Sequence, residues 1–260
     1  MIKHSHFYIL HLQFLGFRYH GWQKQPSVKT VQLMIERTLY FTLGHENMKI
    51  MGASRTDAMV SSQHFLCELF ISEEIDLDEF QQNYNKNLPA DIRLLRIEQT
   101  DAKFNIIQDI DKKEYHYYFS YGEKPHPFSA PFSVHFDGEL QMDKLSAAAT
   151  KFIGKHNFKF YCYRPKEDKD YTREILECEV HKNHLFTGDF FPKESYYLKV
   201  VGRGFVHHQI RFMIGTLIRI ARGEKSLEQL VESLTENTKA EAPIGFVAPA
   251  SGLHLYQLYT

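Results

Sequence analysis

The chain has 260 residues, of which 43% are hydrophobic and 24% are charged, so it can bury a full core and is long enough for two domains of ordinary size. No stretch is long and apolar enough to cross a bilayer, and no cleavage pattern follows the apolar N-terminal element, so we expect a cytoplasmic protein. The net charge of −1 gives no global attraction to nucleic acid, and any such binding would need a local basic surface.

The first half of the chain predicts the order strand, helix, strand, helix, strand. The apolar and aromatic run His6–Phe14 predicts a strand. Thr30 can cap a helix whose apolar residues recur at helical spacing until Gly44 ends it. Three further elements are predicted: a strand over Gln63–Ile71, a polar helix over Asp78–Asn87 and a strand over Ile92–Ile97.

The second half predicts a similar order. Asp143 is expected to cap one helix, and Ser226 with Gln229 forms a capping box for a later one. The apolar stripe of Val206–Arg222 predicts the longest helix. Strands are predicted over Tyr115–Tyr121, Thr172–Val180, Tyr196–Val201 and Leu253–Leu258.

Two halves of similar build predict an α+β fold made of two ferredoxin-like (RRM-like) halves. We place the N-terminal domain at residues 1–103, with a candidate catalytic aspartate, and the C-terminal domain at residues 104–260, with a candidate tyrosine strand and arginine helix. Their sheets are expected to join side by side and to leave a central active-site cleft.

The segment GASRTDAMVSSQHF, Gly52–Phe65, is the strongest candidate for a functional loop. Arg55 and Asp57 lie here in a non-periodic stretch before an apolar run, and loops at strand ends carry much of protein chemistry. An aspartate beside an arginine, with no second carboxylate for several residues, could be held ionised and ready to act on a substrate. Taken alone, these residues fit a surface turn with a solvated ion pair better than a functional site.

Arg211 and Tyr115 are candidates for the same site. Arg211 lies at the margin of the long helix's apolar stripe, one turn before Gly215, so its guanidinium could point inward, where it would need an anion. Asp57 is a reasonable partner, because a buried arginine would keep the carboxylate ionised and fix its direction. Tyr115, on a strand with Tyr117, could offer a flat ring to a planar base and a phenol for proton transfer, the alternative being packing in the core.

Other residue types are less specific. Cys67, Cys162 and Cys178 are too widely spaced for a disulfide framework or a cysteine zinc site, and we expect buried or half-buried thiols. The histidines lack metal-binding spacing, so no metal is expected. Two basic groups, Lys151–Arg173 and Arg203–Arg222, can each be a solvated surface.

Several short sequence stretches, spread over nearly the whole chain, carry a further signal. They are YHGWQKQ with TVQLMIE (Tyr19–Gln25, Thr30–Glu36), SRTDA (Ser54–Ala58), NLPADI (Asn87–Ile92), KKEYHYYF (Lys112–Phe119), TREI (Thr172–Ile175), FVHHQIRFMIGTL (Phe205–Leu217) and APASGLHL (Ala248–Leu255). A single stretch would be a weak signal, but in this order they resemble the tRNA pseudouridine synthase A family over nearly the whole length of the chain.

This resemblance implies an enzyme that isomerises uridine to pseudouridine on the 3′ side of the tRNA anticodon stem-loop, as a homodimer whose subunits grip one tRNA, without cofactor or metal. It implies five site residues: Asp57 as the catalytic aspartate, Arg55 entering the space left by the flipped nucleotide, Tyr115 stacking on the uracil, Arg211 pairing with the aspartate, and Leu253 packing beside the base.

The chain departs from the family pattern around the aspartate. The family usually reads Gly-Arg-Thr-Asp-Ala-Gly-Val-His-Ala, whereas Ser54 and Met59 stand here for the two glycines, Ser61 for the histidine and Ser62 for the last alanine. Met59 in place of glycine could alter the backbone beside Asp57. Three alternatives stay open: a divergent paralogue acting on another uridine or another RNA, a catalytically silent RNA-binding or RNA-folding protein, and a small-molecule enzyme, which the absence of a Gly-rich phosphate loop disfavours.

Overall fold

The structure is a computed structural model that describes residues 5–235 and 245–260. Over these residues the chain forms ten strands and five α-helices, and it is a mixed α/β protein. It comprises two compact units. The first unit holds the described residues up to Asp111 together with Leu255–Thr260, and the second unit holds Lys112–His254. The sequence predicts a domain boundary between residues 103 and 104, which stays a prediction. In the structure, the first compact unit ends at Asp111 and the second begins at Lys112.

The first unit is a mainly antiparallel sheet with two helices. Its strands are β1 (His6–Phe14), β2 (Met48–Gly52), β3 (Ser61–Ile71) and β4 (Ile92–Thr100), and its helices are α1 (Val31–Leu43) and α2 (Leu77–Asn87). Strand β1 pairs antiparallel with β4 and β3, so that Leu10 lies opposite both Ile97 and Cys67. Strand β2 pairs antiparallel with the second half of β3, and the C-terminal strand of the chain also pairs with β3.

Strand β1 is buried on both faces from Tyr8 to Leu12, and one face lies deepest in the core of the first unit. Tyr8, Leu10 and Leu12 are at most 1% exposed, as residues that share one face of a strand should be. The capping predictions for α1 are confirmed: the Thr30 hydroxyl accepts a hydrogen bond from Leu33 N–H at 3.3 Å, and Gly44 ends the helix with a φ of 78°.

Over its described residues, the second unit contains five complete strands and three helices. Its elements are β5 (Lys112–Gly122), β6 (Val134–Asp137), α3 (Met142–Ala149), β7 (Gly154–Asn157), β8 (Thr172–Lys182), β9 (Ser195–Gly202), α4 (Gln209–Ala221) and α5 (Leu227–Ser233). Strand β5 pairs antiparallel with β9, β9 with β8 and β8 with β7, and the short β6 runs parallel to β5. Strand β10 (Leu253–Tyr259) begins in this unit and continues in the first.

The structure corrects the start of two helices. Asp143 is not the N-cap of α3; Gln141 takes that position without a side-chain cap, and Asp143 lies in the first turn, where its charge still favours the helix N-terminus. Helix α4 begins at Gln209 rather than Val206, because His208 has a left-handed φ of 64° that interrupts the helical backbone. The capping box of Ser226 and Gln229 is confirmed at the start of α5.

The cysteines are free and buried, as predicted, and burial raises the pKa of each thiol. Each helix within residues 5–235 and 245–260 is too short or too polar to span a membrane.

Candidate active site

Asp57 lies in the loop that connects β2 to β3 in the first unit. Val60 N–H donates a hydrogen bond to the Asp57 carbonyl at 3.2 Å and closes a four-residue turn. Met59, the third residue of this turn, has a φ of 68°, which is the type II pattern that favours glycine at this position. The Asp57 side chain is half-buried, whereas Arg55 is exposed on the same loop. The carboxylate is therefore carried by a tight turn and not by a long open loop.

The Tyr19–Trp22 segment holds this turn through backbone hydrogen bonds. Met59 N–H donates to the Tyr19 carbonyl at 3.0 Å, and Trp22 N–H donates to the Thr56 carbonyl at 3.3 Å. Between them, Gly21 has a φ of 82°, and a Cβ at Gly21 would lie 2.4 Å from the Thr56 oxygen. Only glycine permits so close an approach of two backbones in this conformation.

The Trp22 ring connects the two strands on either side of the loop. It stacks on Phe65 of β3 with centroids 4.1 Å apart, and it covers Gly52 at the end of β2 so closely that a Cβ there would lie 2.5 Å from the indole. Trp22 is 2% exposed, so this packing is part of the core. The Gly-Trp pair thus fixes both the approach to and the exit from the Asp57 turn.

Asp91 holds the Tyr19 end of the same segment through hydrogen bonds. The Tyr19 hydroxyl donates to Asp91 Oδ1 at 2.7 Å, Arg18 Nε donates to Oδ2 at 2.8 Å, and Leu15 N–H donates to the Asp91 carbonyl at 2.9 Å. Burial, with the hydrogen bond to Asp91, raises the pKa of Tyr19, so the phenol stays a donor at neutral pH. A chain of contacts therefore runs from Asp91 through Tyr19 to the turn that carries Asp57.

Tyr19 and Asp91 are site-building residues that the sequence analysis did not identify. Both lie in stretches that marked the family resemblance, Tyr19–Gln25 and Asn87–Ile92, but their physical role was not inferred. A signal was present, since a lone aspartate after Asn-Leu-Pro-Ala sits at a loop end where it can accept from distant donors.

Arg211 lies on α4 in the second unit and contacts the segment before β10. Its Nε donates to the Ala248 carbonyl at 2.7 Å, which fixes one edge of the guanidinium. The expected open place at Gly215 is occupied by backbone: a Cβ there would lie 1.9 Å from the Phe246 oxygen. Arg211 therefore packs along this segment, and Gly215 allows the segment to approach the helix.

Tyr115 and Tyr117 lie on the same face of β5. Tyr115 is 8% exposed, and its ring meets Phe205 edge to face with centroids 5.3 Å apart. The Tyr117 hydroxyl donates to the Pro249 carbonyl at 2.8 Å, and burial raises the pKa of Tyr117, with Arg211 acting in the opposite direction. The Ala248–Pro249 segment is thus held by α4 on one side and by β5 on the other.

Leu253 follows this segment as the first residue of β10 and is 7% exposed. The preceding Gly252 lies against β5, where a Cβ would be 2.7 Å from the Tyr118 carbonyl. Within the second unit, Arg211 and Leu253 are therefore connected to the strand of Tyr115 through one short segment. Arg55 and Asp57 belong to the first unit, and the pairing of Asp57 with Arg211 stays a prediction.

Comparison with known proteins identifies the family. A family model described as tRNA pseudouridine synthase matches residues 148–259. The tRNA pseudouridine synthase A of Onion yellows phytoplasma (strain OY-M) is 32% identical over 258 residues, covering 97% of this chain and 98% of its own. That of Phytoplasma mali (strain AT) is 31% identical over 252 residues, with 97% and 98% covered. The chain belongs to the tRNA pseudouridine synthase A family. It is therefore a pseudouridine synthase, which is an isomerase.

One further relative matches over a similar length at lower identity, and one solved structure aligns only weakly. The tRNA pseudouridine synthase A 1 of Protochlamydia amoebophila (strain UWE25) is 28% identical over 257 residues, covering 98% of this chain and 96% of its own. Among solved structures, a chain of an H/ACA RNP bound to a substrate RNA containing 2'-deoxyuridine aligns with a TM-score of 0.33 at 12% identity. That alignment covers 85% of this chain and 54% of the other.

Family membership gives meaning to the substitutions around Asp57. Met59 takes a left-handed backbone at a position where the family usually has glycine. Ser61 accepts a hydrogen bond from Gly16 N–H at 2.9 Å, and the Ser62 hydroxyl donates to the Leu255 carbonyl at 2.9 Å. Both serines are at most 2% exposed. The hydroxyl groups of both serines therefore have hydrogen-bond partners within the first unit, and these bonds help to anchor the loop.

Proposed function

We propose that this protein isomerises uridine to pseudouridine in the anticodon stem-loop of tRNA, with Asp57 as the catalytic carboxylate. The relatives' names support tRNA as the substrate. The observation that carries the assignment of Asp57 is its position in a turn hydrogen-bonded to Tyr19 and Trp22. A reacting carboxylate needs a fixed direction, and a turn anchored at both ends provides it.

Access to the glycosidic bond requires that the uridine leave the base stack. Unstacking costs a few kcal/mol, and a side chain that fills the vacated space offsets part of this cost. Arg55 suits that role, because it is exposed on the loop of Asp57 and carries a flat cation that can stack on neighbouring bases.

The reaction then needs one carboxylate and a closed pocket. Asp57 either attacks the nucleoside, forming a bond that breaks again before the product leaves, or removes a sugar proton and later returns it; in either route the C–N glycosidic bond breaks. The uracil turns, its C5 bonds to the sugar carbon, the C5 proton leaves to a base or to water, and N1 takes up a proton in its place. The substrate and product are isomers, so no other reactant is consumed.

In this proposal the second unit supplies the remaining groups. Tyr115 stacks on the uracil, Leu253 packs beside it, and Arg211 pairs with Asp57. The Arg211 role is supported by its Nε hydrogen bond to Ala248, which orients the guanidinium.

Incubation of unmodified tRNA transcripts with the protein, followed by chemical mapping of pseudouridine, tests this proposal. Asp57→Asn should abolish pseudouridine formation while tRNA binding persists. Asp143→Asn, an exposed carboxylate-to-amide change on α3, serves as the matched control and should act like the wild type. Pseudouridine formation by the Asp57→Asn protein at the wild-type rate would exclude Asp57 as the catalytic group.

A different RNA substrate is the second candidate, and the backbone at Met59 favours it. A side chain replaces the family's usual glycine two residues after Asp57, so the surface presented to RNA beside the carboxylate differs. Mapping pseudouridine in a panel of transcripts distinguishes the candidates: modification outside the anticodon stem-loop supports the second. A catalytically silent RNA-binding protein would form pseudouridine in none of them.

We also expect the protein to be a cytoplasmic homodimer, with each chain folded into two ferredoxin-like halves whose sheets join side by side. The order β-α-β-β-α-β in the first unit, with strands in the order β4-β1-β3-β2, supports the first of these halves. Sedimentation of the protein alone and with tRNA tests the dimer.

A further inference from the structure

The segment Lys159–Arg173, called the basic loop below, connects β7 to β8 in the second unit. It contains five basic and three acidic residues, in a protein whose net charge is −1. Residues 163–170 are all exposed. One acidic member is engaged locally, since Asp170 accepts from Thr172 N–H at 2.7 Å. Four exposed basic side chains lie among three exposed acidic ones, so the loop brings cations to the surface of a near-neutral protein, where phosphates can reach them.

Planar side chains form a stack at the start of this loop. The Arg164 guanidinium lies over the Tyr163 ring at 5.1 Å from its centroid. The same ring lies 4.9 Å from His208 at 38°, and His207 meets it edge on at 5.5 Å. Tyr163 is 38% exposed, and Arg164 is exposed. The stack therefore presents an aromatic edge and a flat cation to solvent.

The basic loop is anchored and not merely a flexible chain. Tyr163 N–H donates to the His207 carbonyl at 2.9 Å, and the Tyr171 hydroxyl donates to the Lys166 carbonyl at 3.0 Å. Arg164 itself has a φ of 49°, a left-handed backbone that arginine seldom adopts. Strained backbone of this kind persists where the surroundings impose it, and it concentrates at functional sites.

We propose that the basic loop is a contact surface for RNA, with the Tyr163–Arg164 stack as a platform for an unpaired base and the loop's lysines beside its phosphates. This proposal rests on the proposed function and deepens it by naming where the RNA is held. Bases splayed out of an RNA loop stack on aromatic rings and on guanidinium planes, which is the surface offered here. An acidic protein partner would need the charge but not the stack.

Two substitutions and a matched control test the platform. Arg164→Ala removes the cation, Tyr163→Leu removes the ring beneath it, and both residues are exposed enough for the variants to fold. Lys182→Ala removes an exposed cation at the other end of β8, about 33 Å along the strand from Thr172, and is the control. Binding of an unmodified tRNA transcript is measured by filter retention from about 50 mM to about 200 mM salt.

The expected results separate stacking from charge. Arg164→Ala should weaken tRNA binding about tenfold and lower the slope of log affinity against log salt by about 1. Tyr163→Leu should weaken binding with an unchanged slope, and Lys182→Ala should bind as the wild type. Wild-type affinity and slope in both Tyr163→Leu and Arg164→Ala would overturn the proposal, as would a slope change without any effect of Tyr163→Leu, which fits charge alone.

Pseudouridine formation on the same transcripts keeps the two proposals distinguishable. If the wild type forms pseudouridine and Asp57→Asn does not, while Arg164→Ala binds normally, only the RNA surface is wrong. If the wild type forms none, yet Arg164→Ala lowers tRNA affinity, the surface stands and the proposed function fails. A wild-type protein that does not bind tRNA in this salt range would contradict the surface as well.

Discussion

Arg211 and Ala248 are joined by two hydrogen bonds that run in opposite directions. The Arg211 side chain donates through Nε to the Ala248 carbonyl at 2.7 Å, and Ala248 N–H donates to the Arg211 carbonyl at 3.1 Å. One helical residue thus holds both polar groups of a residue that lies 37 positions later. Because the Ala248 segment leads directly into β10, the orientation of the guanidinium and the position of Leu253 are set together.

Arg211→Lys should therefore impair catalysis although the charge is kept. A lysine cannot donate from the Nε position while presenting a planar group, so the contact with Ala248 and the orientation of the cation are both lost. We expect a stability loss of about 1 kcal/mol and a drop in pseudouridine formation of at least about tenfold. Denaturant unfolding and initial rates on tRNA measure these effects. Arg219→Lys, on the same helix, is the control; equal rates in both variants would contradict the orienting role.

Gly21→Ala should disturb the Asp57 turn more than its backbone angle alone explains. Gly21 and Gly44 have similar φ angles, 82° and 78°, but a Cβ at Gly44 has no atom within 4 Å, whereas one at Gly21 would lie 2.4 Å from the Thr56 oxygen. Gly44→Ala should cost about 1 kcal/mol for the left-handed backbone. Gly21→Ala should add about 1–3 kcal/mol for overpacking against a backbone that cannot move freely.

Urea unfolding of Gly21→Ala and Gly44→Ala separates the cost of the left-handed backbone from the cost of overpacking. Pseudouridine formation by the two variants shows whether the overpacking affects catalysis. Only Gly21→Ala should lower the rate, because its Cβ would press on the turn itself, whereas a Cβ at Gly44 would meet no atom within 4 Å. If the two variants lose the same stability and activity, the close approach of Gly21 to Thr56 does not contribute to catalysis.

Local chemistry explains which elements were predictable from the sequence. The caps at Thr30, Gly44 and Ser226 were correct, because a cap is decided by residues within one turn of it. Strands β2, β6 and β7 were missed, since four or five residues carry too little alternation to stand out. Asp143 was misread because aspartate suits both the cap and the first turn of a helix.

The residues of the candidate site also differ in how far the local sequence could predict them. Asp57 was selected because a charged pair in a stretch of small residues is visible locally. Tyr19 and Asp91 were not, because the hydrogen bond that gives them a role joins residues 72 positions apart. The structure also replaced the supposed open space at Gly215 with the backbone of Phe246, a close packing that depends on tertiary contact alone.

Tyr19→Phe should lower the rate of pseudouridine formation through the Asp57 turn. It removes one hydroxyl that donates to Asp91, while the carboxylate keeps Arg18. Tyr84→Phe is a matched control in the same unit, since the Tyr84 hydroxyl donates to the Ile35 carbonyl at 3.1 Å, away from the turn. Both should lose about 1 kcal/mol of stability. A positioning role requires that Tyr19→Phe alone lower kcat, with KM for tRNA little changed; a loss confined to stability would count against it.

Acid should destabilise the protein through His254, the second residue of β10. Burial lowers the pKa of His254 from 6.5 to about 4, its Nε2–H donates to the Phe132 carbonyl at 3.1 Å, and its Nδ1 has no hydrogen-bond partner among the described residues. Between these pH values the unfolded chain binds a proton that the folded chain does not. Stability therefore rises with pH across this window and is lost as the pH falls from about 6.5 to about 4.

The size of this effect is about 3 kcal/mol, from a shift of about 2.5 pKa units in a fully buried group. Burial also lowers the pKa of His11, His64 and His116, so the wild-type curve should be steeper than His254 alone requires. His254→Gln keeps an amide donor for Phe132 but cannot titrate, and it should flatten the dependence of unfolding free energy on pH in this window. His184→Gln, at an exposed site, should leave the curve unchanged. Parallel curves for wild type and His254→Gln would show that folding does not lower the pKa of His254.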